Sequence, residues 1–148
     1  MKYTLSGHIQ DVCALAFGSN GQFLASCSDD RTARIWQLEG GDPVVLQMDQ
    51  GSSSISLSPN DRYLACGCFD SLVWIWDVLN RRNITRLHGH TADVYGIQFM
   101  PDSKKLLSAS LDRTIKLWDW TLEEGQCLRT FEGHKVIQNN IKRCKDQH

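Results

Sequence analysis

The sequence shows no excess of either charge and no basic stretch within residues 4–134. Sixteen Lys and Arg residues stand against seventeen Asp and Glu residues, which leaves a net charge of −1 over 148 residues. Proteins that bind nucleic acids usually carry a basic patch or stripe that neutralises phosphates. The charge balance therefore predicts a protein that makes no direct contact with nucleic acid.

Long apolar runs are also missing. A membrane-spanning helix needs about 20 consecutive apolar residues, and no apolar run in this sequence approaches that length. Residues 1–5 lack the apolar segment of a secretory signal. We therefore expect no membrane association and a location in the nucleus or cytoplasm.

The six cysteines lack the spacing of a metal site, because none of them forms a C-x-x-C pair. The chain is also too long and too regular for a disulfide scaffold. Five of the six lie in segments with strand character, where a reduced thiol acts as a small apolar residue: Cys13, Cys27, Cys66, Cys68 and Cys127. These features predict a reducing compartment, with no metal and no cofactor.

One pattern occurs three times: an apolar strand, a turn that contains Asp, and a second strand that ends in Trp. The copies cover residues 23–36, 63–77 and 105–119. Their last tryptophans are Trp36, Trp76 and Trp118, spaced 40 and 42 residues apart. A period of this length predicts a repeat architecture in which each copy is one supersecondary unit.

Gly-His pairs recur in step with this pattern, at residues 7–8, 89–90 and 133–134. His8 precedes Trp36 by 28 residues, and His90 precedes Trp118 by the same number. With these markers in register, the chain resembles the WD-repeat β-propeller family over about residues 4–134. The resemblance implies an all-β fold of four-stranded antiparallel blades.

The period divides the chain into repeats at about residues 4–42, 43–83 and 84–134, followed by a polar, basic tail at 135–148. The four strands expected in the first blade are 12–17, 23–28, 32–38 and 44–48. Those of the second blade are 52–57, 63–68, 72–78 and 84–88, and those of the third are 94–100, 105–110, 114–120 and 126–132. Residues 2–5 are expected to form an additional N-terminal strand. Three serines at 52–54 could suggest a linker, but the period favours a strand with Ile55 and Leu57 pointing inward. The tail is interpreted as poorly ordered or a short helix, with a basic binding segment as the alternative.

The resemblance also implies a hydrogen-bonded tetrad of His, Ser, Asp and Trp in each regular blade. The matching positions are His8, Ser26, Asp30 and Trp36, and again His90, Ser108, Asp112 and Trp118. The second repeat departs from this pattern, because Cys66 replaces the Ser and Gln50-Gly51 replaces the Gly-His pair. We therefore expect Asp70 and Trp76 to lack their usual partners.

A Ser/His/Asp set also occurs in hydrolases, but this sequence lacks the G-x-S-x-G nucleophile elbow. The set occurs twice at the repeat spacing, which is typical of residues with a structural role. We therefore predict no enzymatic activity and a non-catalytic scaffold that binds proteins or short peptides.

Several segments resemble the Tup/Groucho-type transcriptional corepressors within the propeller family. They are Gly7-His8 with Gln10-Asp11-Val12, Gly18 to Gly21, Asp30-Arg31-Thr32, Asp93-Val94-Tyr95 and Ser110 to Trp118. This likeness implies a corepressor-like scaffold that binds repressors on its top face. An adaptor of a ubiquitin ligase or a signalling complex is the alternative, because both kinds of protein use the same face.

A closed propeller has about four to eight blades, and this chain has only three. We expect an open arc: a fragment of a seven-bladed propeller, a truncated product, or half of an assembly that self-associates through its open blade edges.

The partner-binding rim is predicted from two repeat positions. One directly follows an Asp-Val pair, and the other precedes the turn Asp. The residues at these positions are Cys13, Asp29, Phe69, Tyr95 and Leu111. Exposed apolar groups of this kind mark partner sites, although Phe69 has the alternative of packing on a neighbouring blade.

Overall fold

The computed structural model describes residues 4–132, and these form three four-stranded antiparallel sheets. Each sheet is a blade in which consecutive strands are neighbours, so the predicted all-β blade architecture is confirmed. Blade 1 contains β1 (Val12–Phe17), β2 (Phe23–Ser28), β3 (Thr32–Gln37) and β4 (Val44–Gln47). Blade 2 contains β5 (Ser52–Leu57), β6 (Tyr63–Cys68), β7 (Val73–Asp77) and β8 (Arg82–Leu87). Blade 3 contains β9 (Val94–Phe99), β10 (Lys105–Ser110), β11 (Ile115–Asp119) and β12 (Gln126–Phe131).

The third strands are one or two residues shorter than predicted, β8 begins two residues earlier, and β4, β8, β9 and β12 each end one residue earlier. Thr4 and Leu5 are not in a strand, while the rest of the predicted N-terminal strand lies outside the described residues. The Gly-His pair at 133–134 and the tail at 135–148 also lie outside them. No helix long and apolar enough to cross a membrane occurs between residues 4 and 132.

The turn between the second and third strands has the same construction in every blade. Its Asp side chain accepts a hydrogen bond from the backbone N–H two residues later, at 2.9 Å for Asp30 and Asp112 and 3.1 Å for Asp70. The residue after each Asp adopts a left-handed conformation, as Arg31 does with a φ of 72°. Asp tolerates and stabilises such turns because its side chain replaces a backbone acceptor. This explains why Asp recurs there.

The core lies between blades. We call the side of a blade that faces the preceding blade its front face, and the opposite side its back face. One cluster joins the back of blade 1, with Ile35 and Leu46, to the front of blade 2, with Leu64 and Trp76. A second cluster joins the back of blade 2 to the front of blade 3, where Trp118 is buried.

The inner strands β1, β5 and β9 lie side by side. In β5 serines and apolar residues alternate from Ser54 to Leu57, and Ile55 and Leu57 pack into the cluster with blade 1. The Ser54 hydroxyl donates to the carbonyl of Val94 at 3.4 Å, and the Ser56 hydroxyl accepts the backbone N–H of Phe99 at 3.2 Å. The serine run is therefore a strand, as predicted, and its hydroxyls bridge blades 2 and 3.

Two blade faces carry no neighbour within residues 4–132. On the front of blade 1, Leu15 and Phe17 are 57% and 64% exposed, although the matching Ile97 and Phe99 of blade 3 are packed. Leu24 of β2 and Trp36 of β3 line the same face beside Leu15. The back of blade 3 is the other open face, so the arrangement is an open arc of blades.

Candidate functional site

The first candidate set is a hydrogen-bonded chain across the front of blade 1. Trp36 Nε1 donates to Ser26 Oγ at 2.8 Å, and Ser26 Oγ lies 2.6 Å from His8 Nε2. His8 Nδ1 lies 2.8 Å from Asp30 Oδ2, which also accepts the backbone N–H of Ile9 at 3.1 Å. All groups are satisfied when His8 carries its proton on Nδ1 and accepts the Ser26 hydroxyl at Nε2. The four side chains thus connect the loop before β1 to β2 and β3.

The second set repeats these distances in blade 3. Trp118 Nε1 donates to Ser108 Oγ at 2.8 Å, Ser108 Oγ lies 2.6 Å from His90 Nε2, and His90 Nδ1 lies 2.8 Å from Asp112 Oδ2. This set is buried at the junction with blade 2.

The pKa values of the second set describe a neutral imidazole beside a charged carboxylate. Burial lowers the pKa of His90 below its ordinary value, against the opposite effect of Asp112. Burial by itself would raise the pKa of Asp112, but hydrogen bonds from Thr114, His90 and the backbone outweigh it and lower the pKa to about 2. The pKa of Asp30 in blade 1 is lowered by the same balance of causes. Each polar group of these two sets is therefore satisfied by a partner inside its own blade.

Blade 2 shows what happens when the histidine and serine are replaced. Trp76 Nε1 is buried and has no hydrogen-bond partner among the described residues, which agrees with the prediction. Asp70 likewise lacks its usual histidine, as predicted, because Gln50-Gly51 stands at the position of the Gly-His pair. Asp70 accepts the backbone N–H of Leu72 at 3.1 Å and Nε1 of Trp74 at 3.3 Å.

The sequence reasoning missed Trp74, which replaces the histidine as a side-chain donor to Asp70. The Trp74 ring stacks on the Trp76 ring with 5.9 Å between their centroids, and the guanidinium of Arg86 lies 3.9 Å from the centroid of the Trp74 ring. Arg86 also pairs with Asp49 at 3.3 Å. A Trp at 74, where the other repeats have Arg34 and Lys116, was the available signal.

The predicted rim residues of the first strands lie at β-bulges. In β1 the strand register passes from Val12 to Ala14, and Cys13 between them has no partner in the ladder. Tyr95 occupies the same position in β9. Ser53 is the third member of this set, and the sequence reasoning missed it. Bulges re-aim a side chain and are common beside functional sites.

The other predicted rim residues are held against the start of each inner strand. The backbone N–H of Asp29 donates to the carbonyl of Asp11 at 3.1 Å. In the same way, Phe69 donates to Gly51 at 3.0 Å and Leu111 to Asp93 at 2.9 Å. Their backbone positions are therefore fixed.

The rim side chains remain accessible. Phe69 is 39% exposed and Leu111 is 52% exposed, whereas Tyr95 is half-buried. The thiol of Cys13 donates to Asp29 Oδ1 at 3.3 Å, so these two residues are in contact. A Cβ at Gly51 would come within 3.0 Å of the Phe69 ring and 3.1 Å of Asp29 Cα, which places Phe69 beside blade 1. That Phe69, Tyr95 and Leu111 form one apolar cluster stays a prediction.

Four cysteines within residues 4–132, Cys13, Cys27, Cys66 and Cys68, lie in surroundings that favour the protonated thiol. No group of three or more His, Cys, Asp or Glu side chains suited to a metal occurs in residues 4–132. Burial raises the pKa of Cys27 to about 11 and also raises the pKa values of Cys66 and Cys68. Burial and the neighbouring Asp29 raise the pKa of Cys13. All four therefore stay protonated thiols, which are weak nucleophiles.

The chain is similar to several known proteins. It is 34% identical over 128 residues to protein tipD of Dictyostelium discoideum, with 85% of this chain and 20% of that protein covered. It is 32% identical over 143 residues to nuclear distribution protein nudF 1 of Talaromyces marneffei, with 90% of this chain and 30% of that protein covered. The chain thus spans less than a third of the length of either relative.

Solved structures show the same fold. The structure of U3-55K matches 88% of this chain and 42% of that chain with a TM-score of 0.82 at 24% identity. The profile of the family described as WD domain, G-beta repeat matches residues 1–37, 46–77 and 81–119. These ranges contain all three Trp-terminated repeats and cover more than half of the chain, which belongs to the WD domain, G-beta repeat family.

Proposed function

We propose that this chain is a non-catalytic scaffold whose rim binds a protein or a short peptide. The rim consists of Cys13, Asp29, Phe69, Tyr95 and Leu111. The observation that carries the proposal is the exposure of Phe69 and Leu111 on turns whose backbones are fixed by hydrogen bonds. Exposed apolar side chains held in place lose little conformational entropy when a partner covers them.

The Ser/His/Asp sets support the absence of catalysis. Ser26 and Ser108 are buried, and each hydroxyl is already bonded to a histidine and a tryptophan. A nucleophilic serine must reach its substrate, so this burial favours a structural role.

Within this class, we favour a transcriptional corepressor-like protein that binds repressors in the nucleus. The support is the set of segments quoted above, with the irregular second repeat as a further likeness. An adaptor of a ubiquitin ligase or signalling complex, in nucleus or cytoplasm, is the second candidate. Proximity labelling with the native protein distinguishes them: transcription factors among the labelled proteins support the first, and ligase or signalling subunits support the second.

The rim itself is tested with short random peptides displayed on phage and selected on the folded chain. Tyr95→Ala and Leu111→Arg should abolish capture of the selected peptides while leaving the melting midpoint nearly unchanged. Leu79→Arg is the matched control, because Leu79 is 71% exposed in the loop between β7 and β8, at the opposite end of the strands. Parallel loss of stability and binding in both rim variants would show that these residues belong to the core.

We also propose that the chain self-associates through its open blade faces. A groove of about 260 Å³ on the front of blade 1 favours this; its lining includes Leu5, Val12, Leu15, Leu24 and Trp36. The matching front of blade 2 is covered by the back of blade 1. The expected occupant of the groove on blade 1 is therefore the back of blade 3 from a second copy of the chain. Light scattering should show dimers or larger species that Leu15→Glu disperses. A monodisperse wild-type monomer at high concentration would exclude self-association.

A further inference from the structure

We propose that the rim accepts a basic side chain, so that its partner is a segment with an exposed Lys or Arg. This inference rests on the proposed function and specifies its chemistry. Three Asp residues lie in or beside the rim: Asp29 belongs to it, and Asp11 and Asp93 precede its members Cys13 and Tyr95 by two residues.

The placement of these carboxylates follows from the backbone. Asp11 and Asp93 occupy equivalent positions just before β1 and β9, and their carbonyls accept the N–H groups of Asp29 and Leu111. The start of β9 lies against blade 2, because the Ser53 hydroxyl donates to the carbonyl of Val94 at 3.1 Å. The backbones of Asp11 and Asp93 thus border the rim, on the blade 1 side and the blade 3 side of blade 2.

The rim carboxylates are not neutralised within the described part of the chain. The ion pairs among residues 4–132 use other carboxylates: Asp30, Asp49, Asp77, Asp102 and Asp112. Arg31 and Arg113, which follow the turn residues Asp30 and Asp112, are exposed and make no ion pair within residues 4–132. Asp29 accepts a hydrogen bond from the neutral thiol of Cys13. The negative charge of the rim is therefore available to a partner.

The ring of Phe69 lies on the side of the rim that faces blade 1. Gly51 replaces the Asp found at positions 11 and 93, and the absence of its side chain leaves room for Phe69. The ring is exposed and adjoins the backbone of Asp29. A cation gains from both an aromatic face and a nearby carboxylate, whereas a phosphate or an acidic segment would be repelled. Charge complementarity therefore favours a basic partner.

The composition of peptides selected on the chain tests this inference. Peptides selected on the wild-type chain should be enriched in Lys or Arg at one position, and raising the salt concentration should weaken their binding. Asp29→Asn and Asp93→Asn should each weaken binding about tenfold or more and reduce the salt dependence, mainly through slower association. Asp29→Lys should shift the selected peptides toward Asp and Glu. Asp42→Asn is the matched control, because Asp42 is exposed in the loop between β3 and β4, at the opposite end of the strands.

The outcomes separate this inference from the proposed function. Peptides that Leu111→Arg blocks, but that lack basic residues and bind Asp29→Asn normally, would overturn the basic-partner inference and leave the binding rim intact. Peptides unaffected by Leu111→Arg, or no selected peptides at all, would overturn both. Equal weakening by Asp42→Asn would show a general charge effect and would also refute the inference.

Discussion

Removal of the Ser108 hydroxyl tests the structural role of the tetrad directly. Ser108 is 1% exposed; it accepts Nε1–H of Trp118 at 2.8 Å and lies 2.6 Å from Nε2 of His90. Ser108→Ala therefore leaves two buried polar groups without a partner. Each such group costs about 1–3 kcal/mol, so the variant should lose about 2 kcal/mol or more of unfolding free energy.

Cys66 supplies the matched comparison, because it occupies the serine position of blade 2 beside the unsatisfied Trp76. Cys66→Ser offers Trp76 an acceptor but buries a hydroxyl whose own proton has no histidine to receive it. The two effects should nearly cancel, to within about 0.5 kcal/mol.

Urea denaturation followed by tryptophan fluorescence measures both variants. With a slope of about 2 kcal/mol/M, the midpoint of Ser108→Ala should fall by about 1 M, whereas that of Cys66→Ser should barely move. A Ser108→Ala midpoint equal to that of the wild type would refute the tetrad as a stabilising network. A large gain from Cys66→Ser would show that the serine alone, without the histidine, is sufficient.

Three further predictions concern Trp118, His90 and Asp61. Trp118→Ala should cost about 3–5 kcal/mol, because it deletes a large aromatic side chain at the junction of blades 2 and 3; a urea midpoint shift below that of Ser108→Ala would contradict this. Burial lowers the pKa of His90 in the folded chain, so as the pH falls the unfolded chain is protonated at His90 before the folded chain is. The free energy of unfolding should therefore fall as the pH drops below the ordinary histidine pKa of 6.5. A thermal melting midpoint that does not change with pH would refute this prediction. Asp61→Ala removes the carboxylate that accepts the Ser19 N–H at 3.0 Å and the Ser19 hydroxyl at 2.6 Å, so hydrogen exchange should speed up in β1 and β5 but not in β12.

The sequence by itself determined the repeat and everything that depends on it. Spacings of 40 and 42 residues between Trp36, Trp76 and Trp118 predicted three blades, and the blades have the expected strands. The serine run at 52–54 was assigned to a strand by the same period. These features are predictable because antiparallel neighbours are joined by short turns, so local spacing decides which residues pair.

Only the tertiary structure decided how the irregular blade is completed and which rim groups lie together. Asp70 lacks its usual histidine, as expected, but only the structure shows that Trp74 replaces it as a donor, with a ring positioned by Trp76 and Arg86. The space that Gly51 leaves for Phe69 is likewise visible only once blade 1 lies beside blade 2. Contacts of this kind join side chains whose orientation depends on packing as well as on sequence spacing. A repeat period specifies equivalent positions, but it does not specify which neighbour occupies the space when one of those positions changes.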